Sequence, residues 1–534
     1  MDRSERDGRR LTRKELLRSG VAAGAGLALS GGTRARATSG RSSRRRRDVA
    51  GMNVLIFLTD QERAIQHFPR HWARDNLPGL RRLKRYGLSF ENAFTNACMC
   101  SPARSTFFTG FFPAQHGVKY TLEQDMPASE GYPQVEMPLD LPNVATVMAA
   151  AGYNPVYKGK WHCSKPANGE TFVPSDVGRY GFERWDPPDA GANQDVSEAG
   201  GGSVDNDGRY ITSIGDVDEG EEGVLQYLST VAADQQPFCM VVSLVNPHDV
   251  LLYPATFRDA GYLDPSWVRG GIGLPETVDE DLSTKPTVQR QFLRLFNLTG
   301  QLPTRAMKRA YLNFYANLIR SSDGYLVRVL DRLADAGLLD DTLIIRTADH
   351  GEMGLAHGGL RQKNFNFYEE SLRVPLLYSN PRLFPRHRRS KAIVSHVDFL
   401  PTLASLFAAP DSARADWEGV DYSSVVLRPG QAKPVQGYTV FTYDDYQSGQ
   451  ATGPYPRPPN HVVSIRERRW KLAKYYDVNG ETSPQWEMYD LKNDPLEKQN
   501  LAYDGYSRTP KQEQEYRRLK RKLKRVGGTR LQPL

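Results

Sequence analysis

Unbroken apolar runs alternate with amphipathic segments along the chain after residue 51. Three runs have the length and composition of strands that are buried on both faces. They span 53–59, 238–245 and 342–347, and weaker runs span 153–157 and 374–378. Helical patterns lie between the runs, at 77–86, 144–151 and 309–336, the last with a candidate break at 321–324. This alternation predicts an α/β domain with a mostly parallel sheet flanked by helices.

The pattern changes near residue 430, where shorter strands replace the long apolar runs. Strands are predicted at 461–465 and 470–475, and a basic terminal helix at 511–525. We therefore expect a catalytic domain at 51–425 and a smaller antiparallel C-terminal subdomain at 426–534. Residues 163–223 and 250–305 have no strong period, and we interpret both as insertions around a site.

The positive charge of the chain is concentrated at its beginning. The 534 residues carry a formal net charge of +8, but residues 1–50 hold 14 of the 70 Lys and Arg and 5 of the 62 Asp and Glu. The rest has 56 basic and 57 acidic residues, a balance that does not favour a nucleic-acid binder. A disulfide-rich scaffold is excluded because the chain has four cysteines, Cys98, Cys100, Cys163 and Cys239.

Residues 1–50 have the composition of an export signal followed by a basic linker. A basic beginning precedes a short apolar stretch at 21–29, and Ala35-Arg36-Ala37 provides a small-residue cleavage site. The stretch is too short to span a bilayer, which needs about 20 apolar residues, and no other segment could do so. Residues 12–18 resemble the twin-arginine pattern, with Lys14 for the second arginine. We expect an exported protein, periplasmic or extracellular, that uses this route.

Polar side chains follow the ends of four predicted strands. They are Asp60 and Gln61, then Lys158, Lys160 and His162, then His248, and finally Asp349 and His350. Ligands bind at the carboxyl ends of strands in open α/β sheets, so we expect these residues to share one pocket. Carboxylates, imidazoles and the Gln61 carbonyl suit a hard divalent metal. Lys160 and Lys363 suit an anionic substrate.

The segment 96–110, NACMCSPARSTFFTG, combines a helix start with groups that bind anions. Ser101 is expected to cap the helix, Pro102 to take its first position and the final glycine to end it. Cys100 then precedes a helix N-terminus, where the dipole favours anions, and Arg104 adds a positive charge in the first turn. The segment predicts a docking site for a sulfate or phosphate ester.

Two chemistries fit this segment. Cys98 and Arg104 have the C-x5-R spacing of cysteine-dependent phosphatases. That interpretation leaves the acidic strand ends without a role, and Pro102 removes one of the backbone N–H groups that would cradle the phosphate. The second pattern is C-x-P-x-R, formed by Cys100, Pro102 and Arg104.

The C-x-P-x-R pattern resembles the signature of the type I sulfatases, the formylglycine-dependent branch of the alkaline phosphatase superfamily. Further matches follow in the order that the family has them. They are the first strand and metal turn at 53–61, G-K-W-H at 159–162, N-P-H-D at 246–249, A-D-H-G-E at 348–352, Lys363 with Y-E-E-S-L-R-V-P at 368–375, and Y-D-L-x-x-D-P-x-E-x-x-N-L at 489–501. So many motifs in one order identify a member of the family. The resemblance implies an alkaline-phosphatase-like α/β fold.

In that family a separate formylglycine-generating enzyme oxidises the signature cysteine to formylglycine, and Cys100 is the matching position. The hydrated aldehyde would supply the nucleophile that attacks sulfur. Asp60, Asp349 and His350 would hold a divalent cation beside the modified Cys100, with Gln61 as a further ligand. The cation is usually calcium in this family, so the resemblance implies calcium here. Many relatives have an aspartate where this chain has Gln61, and the lost negative charge leaves manganese open.

The resemblance implies roles for five further side chains. Arg104 and Lys160 would orient and polarise the hydrated aldehyde. His162 would be the base that drives sulfate elimination. His248 and Lys363 would contact the sulfate and stabilise or protonate the leaving oxygen.

The sequence thus predicts an exported sulfuric ester hydrolase that acts on a small-molecule or carbohydrate sulfate ester. Two alternatives stay open. A phosphonate monoester or phosphodiester hydrolase of the same superfamily would pair Asp60 with Gln61 and Asp349 with His350 in the same way. A non-catalytic exported anion-binding protein would keep Cys100 as a thiol.

Overall fold

The structure is a computed structural model of the chain. It describes residues 49–123, 126–192, 195–215, 221–231, 236–296 and 300–534. All but the last two residues of the predicted export signal and linker, 1–50, lie outside these ranges. No helix within them combines the length and the apolar composition that crossing a bilayer requires.

Two sheets organise the described residues. Their strands are β1 (Asn53–Thr59), β2 (Gly87–Phe94), β3 (Ala97–Cys98), β4 (Asn154–Gly159), β5 (Phe238–Leu244), β6 (Thr342–Ala348), β7 (Leu376–Ser379), β8 (Arg388–Ser395), β9 (Tyr438–Tyr443), β10 (His461–Glu467), β11 (Trp470–Tyr476) and β12 (Gln485–Asp490). Seven strands form a main sheet in the order β4-β5-β1-β6-β7-β2-β8, and five form a C-terminal sheet in the order β12-β11-β10-β9-β3.

The main sheet confirms the prediction of a mostly parallel α/β fold. Strands β4, β5, β1 and β6 are parallel neighbours, and only β7 runs against both of its partners. The three strong apolar runs became the central strands, and every residue of β5 and β6 is buried. This burial on both faces explains why the runs lack polar alternation.

The C-terminal sheet is smaller and antiparallel, as predicted, except for one strand. The pairs β9–β10, β10–β11 and β11–β12 are antiparallel, whereas β3 pairs with β9 in parallel. Strand β3 ends at Cys98, two residues before Cys100. The C-terminal sheet therefore adjoins the segment with the C-x-P-x-R pattern. The predicted domain boundary at 425/426 stays a prediction.

Helices cover both faces of the main sheet and the outer side of the C-terminal sheet. The α-helices are Trp72–Asn76, Pro78–Arg85, Cys100–Thr109, Pro113–His116, Val144–Ala150, Ser175–Gly178, Asn206–Thr212, Val224–Thr230, Thr287–Phe296, Arg305–Asp335, Ala356–Gly359, Glu369–Leu372, Phe399–Leu406, Ser423–Leu427 and Pro510–Thr529. Shorter 3₁₀ helices are Val196–Glu198, His248–Leu252, Pro265–Val268, Leu282–Thr284, Leu339–Asp341, His396–Asp398 and Asp411–Ala413.

The helix Arg305–Asp335 is continuous, so the predicted break at 321–324 is wrong. Its polar residues there have partners that keep the helix intact. Ser322 donates to the Leu318 carbonyl at 3.2 Å, one turn earlier. Asp323 accepts hydrogen bonds from the backbone N–H groups of Gly79 and Leu80, both at 2.7 Å. These residues tie the helix to its neighbour instead of ending it.

Candidate active site

Four parallel strands deliver polar side chains to one edge of the main sheet. Asp60 follows β1, Lys160 follows β4, His248 lies beyond the end of β5, and Asp349 follows β6. The strands are adjacent and parallel, so their carboxyl ends meet at this edge. Lys158 does not join them. It lies within β4, and its Nζ donates to Asp186 Oδ2 at 2.8 Å, away from the shared edge.

Cys100 is brought to the same edge by the strand β2 and the helix that follows. The helix begins at Cys100 itself, with Met99 as its cap and the left-handed Gly110 at its end. The predicted capping by Ser101 is therefore wrong, and Pro102 is the third helical residue. Ser101 Oγ instead accepts a hydrogen bond from the Leu122 N–H at 3.0 Å.

Cys100 lies among the predicted metal ligands. Its Sγ is 3.1 Å from His350 Nε2 and 3.6 Å from Asp60 Oδ1. One donor atom from each of Asp60, Cys100, Asp349 and His350 lies within 4.8 Å of all the others, and all four residues are buried. A buried set of two carboxylates and an imidazole has the chemistry to hold a divalent cation. The residues present therefore fit the metal that the sequence predicts.

Arg104 joins the two carboxylates of this set. Its Nε lies 3.0 Å from Asp349 Oδ2, and its Nη2 lies 3.1 Å from Asp60 Oδ2. Nη1 donates to the Lys160 carbonyl and to Ser243 Oγ, both at 2.9 Å. Burial opposes the charge, but Asp349 and Asp60 raise the pKa of the Arg104 guanidinium. The guanidinium therefore holds the ends of β1, β4, β5 and β6 together.

Lys160 forms a second ion pair with Asp60. Its Nζ lies 2.7 Å from Asp60 Oδ2 and donates to the Gly191 carbonyl at 2.5 Å. Burial lowers the pKa of Lys160, but Asp60 raises it to about 12. Burial in turn raises the pKa of Asp60, but Lys160, followed by His248 and Arg104, lowers it well below its ordinary value. Both groups are therefore charged at neutral pH.

The turn into Lys160 requires a glycine at position 159. Gly159 has a φ of +106°, and a Cβ there would lie 1.9 Å from the Ser243 carbonyl oxygen of the neighbouring strand. The Lys160 N–H donates to that same carbonyl at 2.9 Å. The chain can therefore leave β4 against β5 only without a side chain.

Gln61 contacts both a lysine and a glutamate. Its Oε1 accepts a hydrogen bond from Lys363 Nζ at 2.8 Å, and its Nε2 donates to Glu352 Oε2 at 2.6 Å. Its N–H donates to Asp349 Oδ1 at 3.0 Å. The residue has a φ of +69°, a left-handed conformation that costs a non-glycine residue about 1–3 kcal/mol and occurs often at functional sites.

His162 is held so that one ring nitrogen is left to accept a proton. Its φ is +54°, and its N–H donates to Asp189 Oδ2 at 2.7 Å. Nε2 lies 2.5 Å from the Leu122 carbonyl, which can only accept, so Nε2 carries the proton. Nδ1 has no hydrogen-bond partner among the described residues. Burial, with the charge of Lys160, holds the pKa of His162 well below its ordinary value.

His248 begins a 3₁₀ helix just after β5. The turn before it is fixed by Asp207, which accepts from the N–H groups of Val245 at 2.6 Å and Asn246 at 3.0 Å. Burial, followed by the charge of Lys160, lowers the pKa of His248 well below its ordinary value. The imidazole is therefore neutral near pH 7.

Thiolate chemistry is disfavoured at both cysteines of the signature segment. Cys98 is buried in an apolar cluster with Phe94 and Phe365. Burial raises the pKa of Cys98 well above its ordinary value and that of Cys100 to about 11. Both thiols are therefore protonated at neutral pH, unlike the activated cysteines of phosphatases.

A cavity of about 410 Å³ opens over Cys100 and the two histidines. Its walls come partly from the two predicted insertions, through Gly191, Ala192, 251–256 and 292–296. The segment 447–456 forms a further wall that the sequence did not predict. Lys363 also lines the cavity, so every predicted catalytic residue except the buried Arg104 and Lys160 faces it.

Sequence reasoning gave no role to three supporting carboxylates and one hydroxyl. They are Asp189, Asp207, Glu352 and Ser243. Glu352 was part of the A-D-H-G-E motif, and that position was the available signal. Asp189 and Asp207 lie in an insertion without a period, so no pattern indicated that they hold the histidine turns.

The side chains around Cys100 include three carboxylates and three basic groups. They are Asp60, Asp349 and Glu352, and Arg104, Lys160 and Lys363. The three histidines have lowered pKa values, chiefly because they are buried. A divalent cation would add positive charge beside these groups, which favours an anionic ester.

Comparisons with known proteins identify the family of the chain. A model of the sulfatase family matches residues 52–409, and a model of the C-terminal region of N-sulphoglucosamine sulphohydrolase matches residues 357–527. The choline-sulfatase of Rhizobium meliloti (strain 1021) is 28% identical over 469 residues, which cover 84% of this chain and 82% of that protein.

Solved structures share the fold. A 2-O GAG sulfatase has a TM-score of 0.66 at 20% identity, covering 90% of this chain and 92% of its own. A phosphonate monoester hydrolase from Silicibacter pomeroyi has a TM-score of 0.61 at 21% identity, covering 90% and 96%. The sulfatase model covers more than half of the chain and includes every predicted catalytic and metal-binding residue. The chain therefore belongs to the sulfatase family and is an enzyme that hydrolyses sulfate esters.

Proposed function

We propose that this sulfatase cleaves sulfate monoesters with a formylglycine that a formylglycine-generating enzyme makes from Cys100. The position of Cys100 carries the proposal, because its Sγ lies 3.1 Å from His350 Nε2 and lines the cavity. A thiol with a pKa of about 11 is a weak nucleophile at neutral pH, chiefly because it is buried. Conversion to an aldehyde gives the position a nucleophile that the thiol does not provide.

Asp60, Gln61, Asp349 and His350 would hold a divalent cation beside residue 100. The oxygen-rich set favours calcium, and the imidazole and the neutral Gln61 carbonyl make manganese the alternative. When bound, the cation would supply positive charge to a sulfate oxygen and to the nucleophile. Glu352 supports the set, because it fixes the orientation of the Gln61 amide at 2.6 Å.

The side chains around residue 100 orient its nucleophile and the ester. When formed and hydrated, a formylglycine at residue 100 would offer one hydroxyl as the nucleophile for sulfur and a second that allows sulfate to leave. Arg104 and Lys160 are fixed by their ion pairs with Asp60, so they hold positive charge beside that residue without rearrangement. Lys363 faces the cavity and binds a sulfate oxygen there.

His162 takes the proton from the second hydroxyl. Its Nδ1 carries a lone pair, because Nε2 donates to the Leu122 carbonyl. Its lowered pKa keeps the ring neutral and ready to accept. At the other end, the bond between sulfur and the alcohol oxygen breaks, and that oxygen takes up a proton from Lys363. The proton that the attacking hydroxyl loses restores Lys363, so the step balances. His248, neutral in the cavity lining, donates a hydrogen bond to the sulfate.

Paired rate measurements test this function. Protein from a host with the maturation enzyme should release sulfate from 4-nitrophenyl sulfate faster than it cleaves the matching phenylphosphonate ester. Cys100→Ala and chelator-treated protein should each lose the sulfatase activity. The proposal fails if the phosphonate is the better substrate, or if Cys100→Ala keeps the wild-type rate.

We also propose that residues 1–50 direct export by the twin-arginine route. That route carries folded proteins, so the metal could load before transport. The basic residues, the short apolar stretch and the Ala35-Arg36-Ala37 site support this proposal. A reporter fused to residues 1–50 should reach the periplasm or the medium, and a reporter that stays in the cytoplasm contradicts it.

A further inference from the structure

The cavity above Cys100 has few charged side chains in its described lining. The only lysine or arginine there is Lys363, and the only carboxylate there is Glu123. Within the described lining, the cavity therefore has one basic and one acidic side chain.

The Glu123 carboxylate has no cationic partner among the described residues. It is largely buried, and no described side chain donates a hydrogen bond to it. Its Oε1 lies against Gly449, where an added Cβ would approach to 2.5 Å. Within the described part of the chain no opposite charge pairs with this carboxylate, and a cationic ligand in the cavity would supply one.

A second carboxylate strengthens the negative character of this wall. Asp445 is fully buried and accepts hydrogen bonds from Thr121 N and Oγ1, at 2.9 and 2.6 Å, and from the Tyr132 hydroxyl at 2.9 Å. No lysine or arginine of the described chain forms an ion pair with it. Burial, followed by the charge of Asp445, raises the pKa of Glu123 well above its ordinary value. A positive charge beside Glu123 would oppose both the burial and the charge of Asp445, and would therefore favour the ionised carboxylate.

The rest of the cavity is lined mainly by apolar groups. They are Leu251, Leu252, Ala255, Phe292, Phe296 and Tyr455. A sulfated sugar with further sulfate or carboxylate groups would find no described lysine or arginine here apart from Lys363. It would instead bring its charge towards Glu123.

We propose that the alcohol half of the substrate carries an ammonium group on a compact apolar frame, and that Glu123 selects for it. The sulfate would bind at Lys363 and residue 100, and the ammonium would lie beside Glu123. This inference rests on the proposed function, because it places the sulfate at residue 100. It goes further because it names the class of alcohol and the residue, Glu123, that would bind its ammonium group.

Two sulfate esters of the same shape isolate the effect of charge. In 2-(trimethylammonio)ethyl sulfate a quaternary nitrogen carries the charge, and 3,3-dimethylbutyl sulfate has carbon at that position. Their dissociation constants would be measured by calorimetry on full-length Cys100→Ala protein, which cannot turn them over. We expect the ammonium ester to bind at least about tenfold more tightly, as a partly desolvated ion pair implies. A sulfated uronic acid should bind more weakly than either.

The Glu123→Gln variant, in the same background, should remove most of the preference for the ammonium ester. The matched control Gln450→Ala changes a neutral polar residue of the same lining and should keep the preference. Unfolding curves of each variant would establish that it is folded. Equal affinities for the two esters, or a preference that survives Glu123→Gln, would overturn the inference. Failure of the proposed function would look different: converted protein would bind the ammonium ester through Glu123 but release no sulfate.

Discussion

Lys363 Nζ donates a hydrogen bond to Gln61 Oε1 at 2.8 Å, although the two residues are 302 positions apart. The other end of the same amide donates to Glu352 Oε2 at 2.6 Å. A cation at one end and an anion at the other leave the amide a single favourable orientation. Its carbonyl oxygen therefore faces Lys363, and its amide nitrogen faces Glu352.

Removing the charge of Glu352 should weaken metal binding without changing a ligand. In Glu352→Gln the Gln61 amide loses the anion that orients it, and we expect calcium affinity to fall by about tenfold or more. Calorimetric titration of calcium into chelator-treated protein would measure this. Tyr311→Phe is the control, because Tyr311 donates to the other oxygen, Glu352 Oε1, at 2.6 Å. Unchanged affinity in Glu352→Gln would show that the amide needs no such support.

Arg104 should be essential for stability as well as for activity. Arg104→Met would leave Asp60 and Asp349 buried without the guanidinium, and we expect the free energy of unfolding to fall by about 3–5 kcal/mol in metal-free protein. A saturating divalent cation should restore part of the loss. Denaturant unfolding with and without metal would measure both effects.

The matched control for Arg104 is an exposed ion pair of the same type. Arg82 and Asp331 form one on the surface, and Arg82→Met should cost less than about 1 kcal/mol. Equal losses in the two variants would contradict the bridging role of Arg104.

Asp189 should affect catalysis through His162. It accepts the N–H groups of Trp161 and His162, each at 2.7 Å, and so fixes the left-handed turn that aims the imidazole. We expect Asp189→Asn to lower kcat about tenfold or more with little change in KM, because a small displacement of a base is costly. Asp176→Asn is the control. Asp176 is also buried in this insertion and accepts from the N–H groups of Ala167 and Val173, but it holds no catalytic residue.

A similar fall of kcat in both variants would mean that Asp189 acts only through general stability. A fall of kcat in Asp189→Asn alone, at an unchanged unfolding midpoint, is the predicted result.

The pH dependence of stability should report on His357. Its Nδ1 lies 2.8 Å from Glu280 Oε2 and its Nε2 lies 3.7 Å from Glu370 Oε2. Burial lowers its pKa, but these carboxylates raise it to about 9. Because the folded value exceeds the unfolded value of about 6.5, the protonated ring stabilises the fold fully below about pH 6.5. That stabilisation, of the order of 3 kcal/mol, should be lost as the pH rises towards 9.

Unfolding free energies at pH 6.5 and 9 would measure the effect. His357→Gln should flatten the decline of the unfolding free energy with pH, and an unchanged slope would contradict the prediction.

One ligand atom from each of His357, Glu370 and Glu497 also lies within 4.8 Å of the others, as metal ligands can. There, however, Lys471 Nζ lies 2.6 Å from Glu497 Oε1 and already supplies positive charge.

The sequence could predict those parts of the fold that leave a pattern of apolar and polar residues along the chain. The central strands β1, β5 and β6 are buried on both faces, so they appear as apolar runs, and the residues after them form the site edge. Strand β2 was missed, because the polar residues Ser89, Glu91 and Asn92 interrupt both its burial and its apolar run. It is nevertheless the strand that leads to Cys100.

The supporting residues had no comparable signal. Asp189 and Asp207 act through contacts that the folded chain creates, and both lie in the insertion 163–223, whose sequence has no strong period. Ser101 was predicted to cap the Cys100 helix, but Met99 takes that position. The Ser101 hydroxyl accepts a hydrogen bond from the Leu122 N–H instead of from the start of the helix. A hydroxyl near a helix start predicts a cap only when no tertiary partner competes for it.

The most direct test of the account is the mass of the peptide that carries residue 100. Full-length protein would be purified from a host that contains the maturation enzyme, digested, and compared with its Cys100→Ser counterpart, while sulfate release is measured on the same samples. The account predicts a peptide lighter than the cysteine form, as an aldehyde requires, and sulfate release in proportion to the converted fraction. Full activity in protein whose residue 100 is still an ordinary thiol would contradict it.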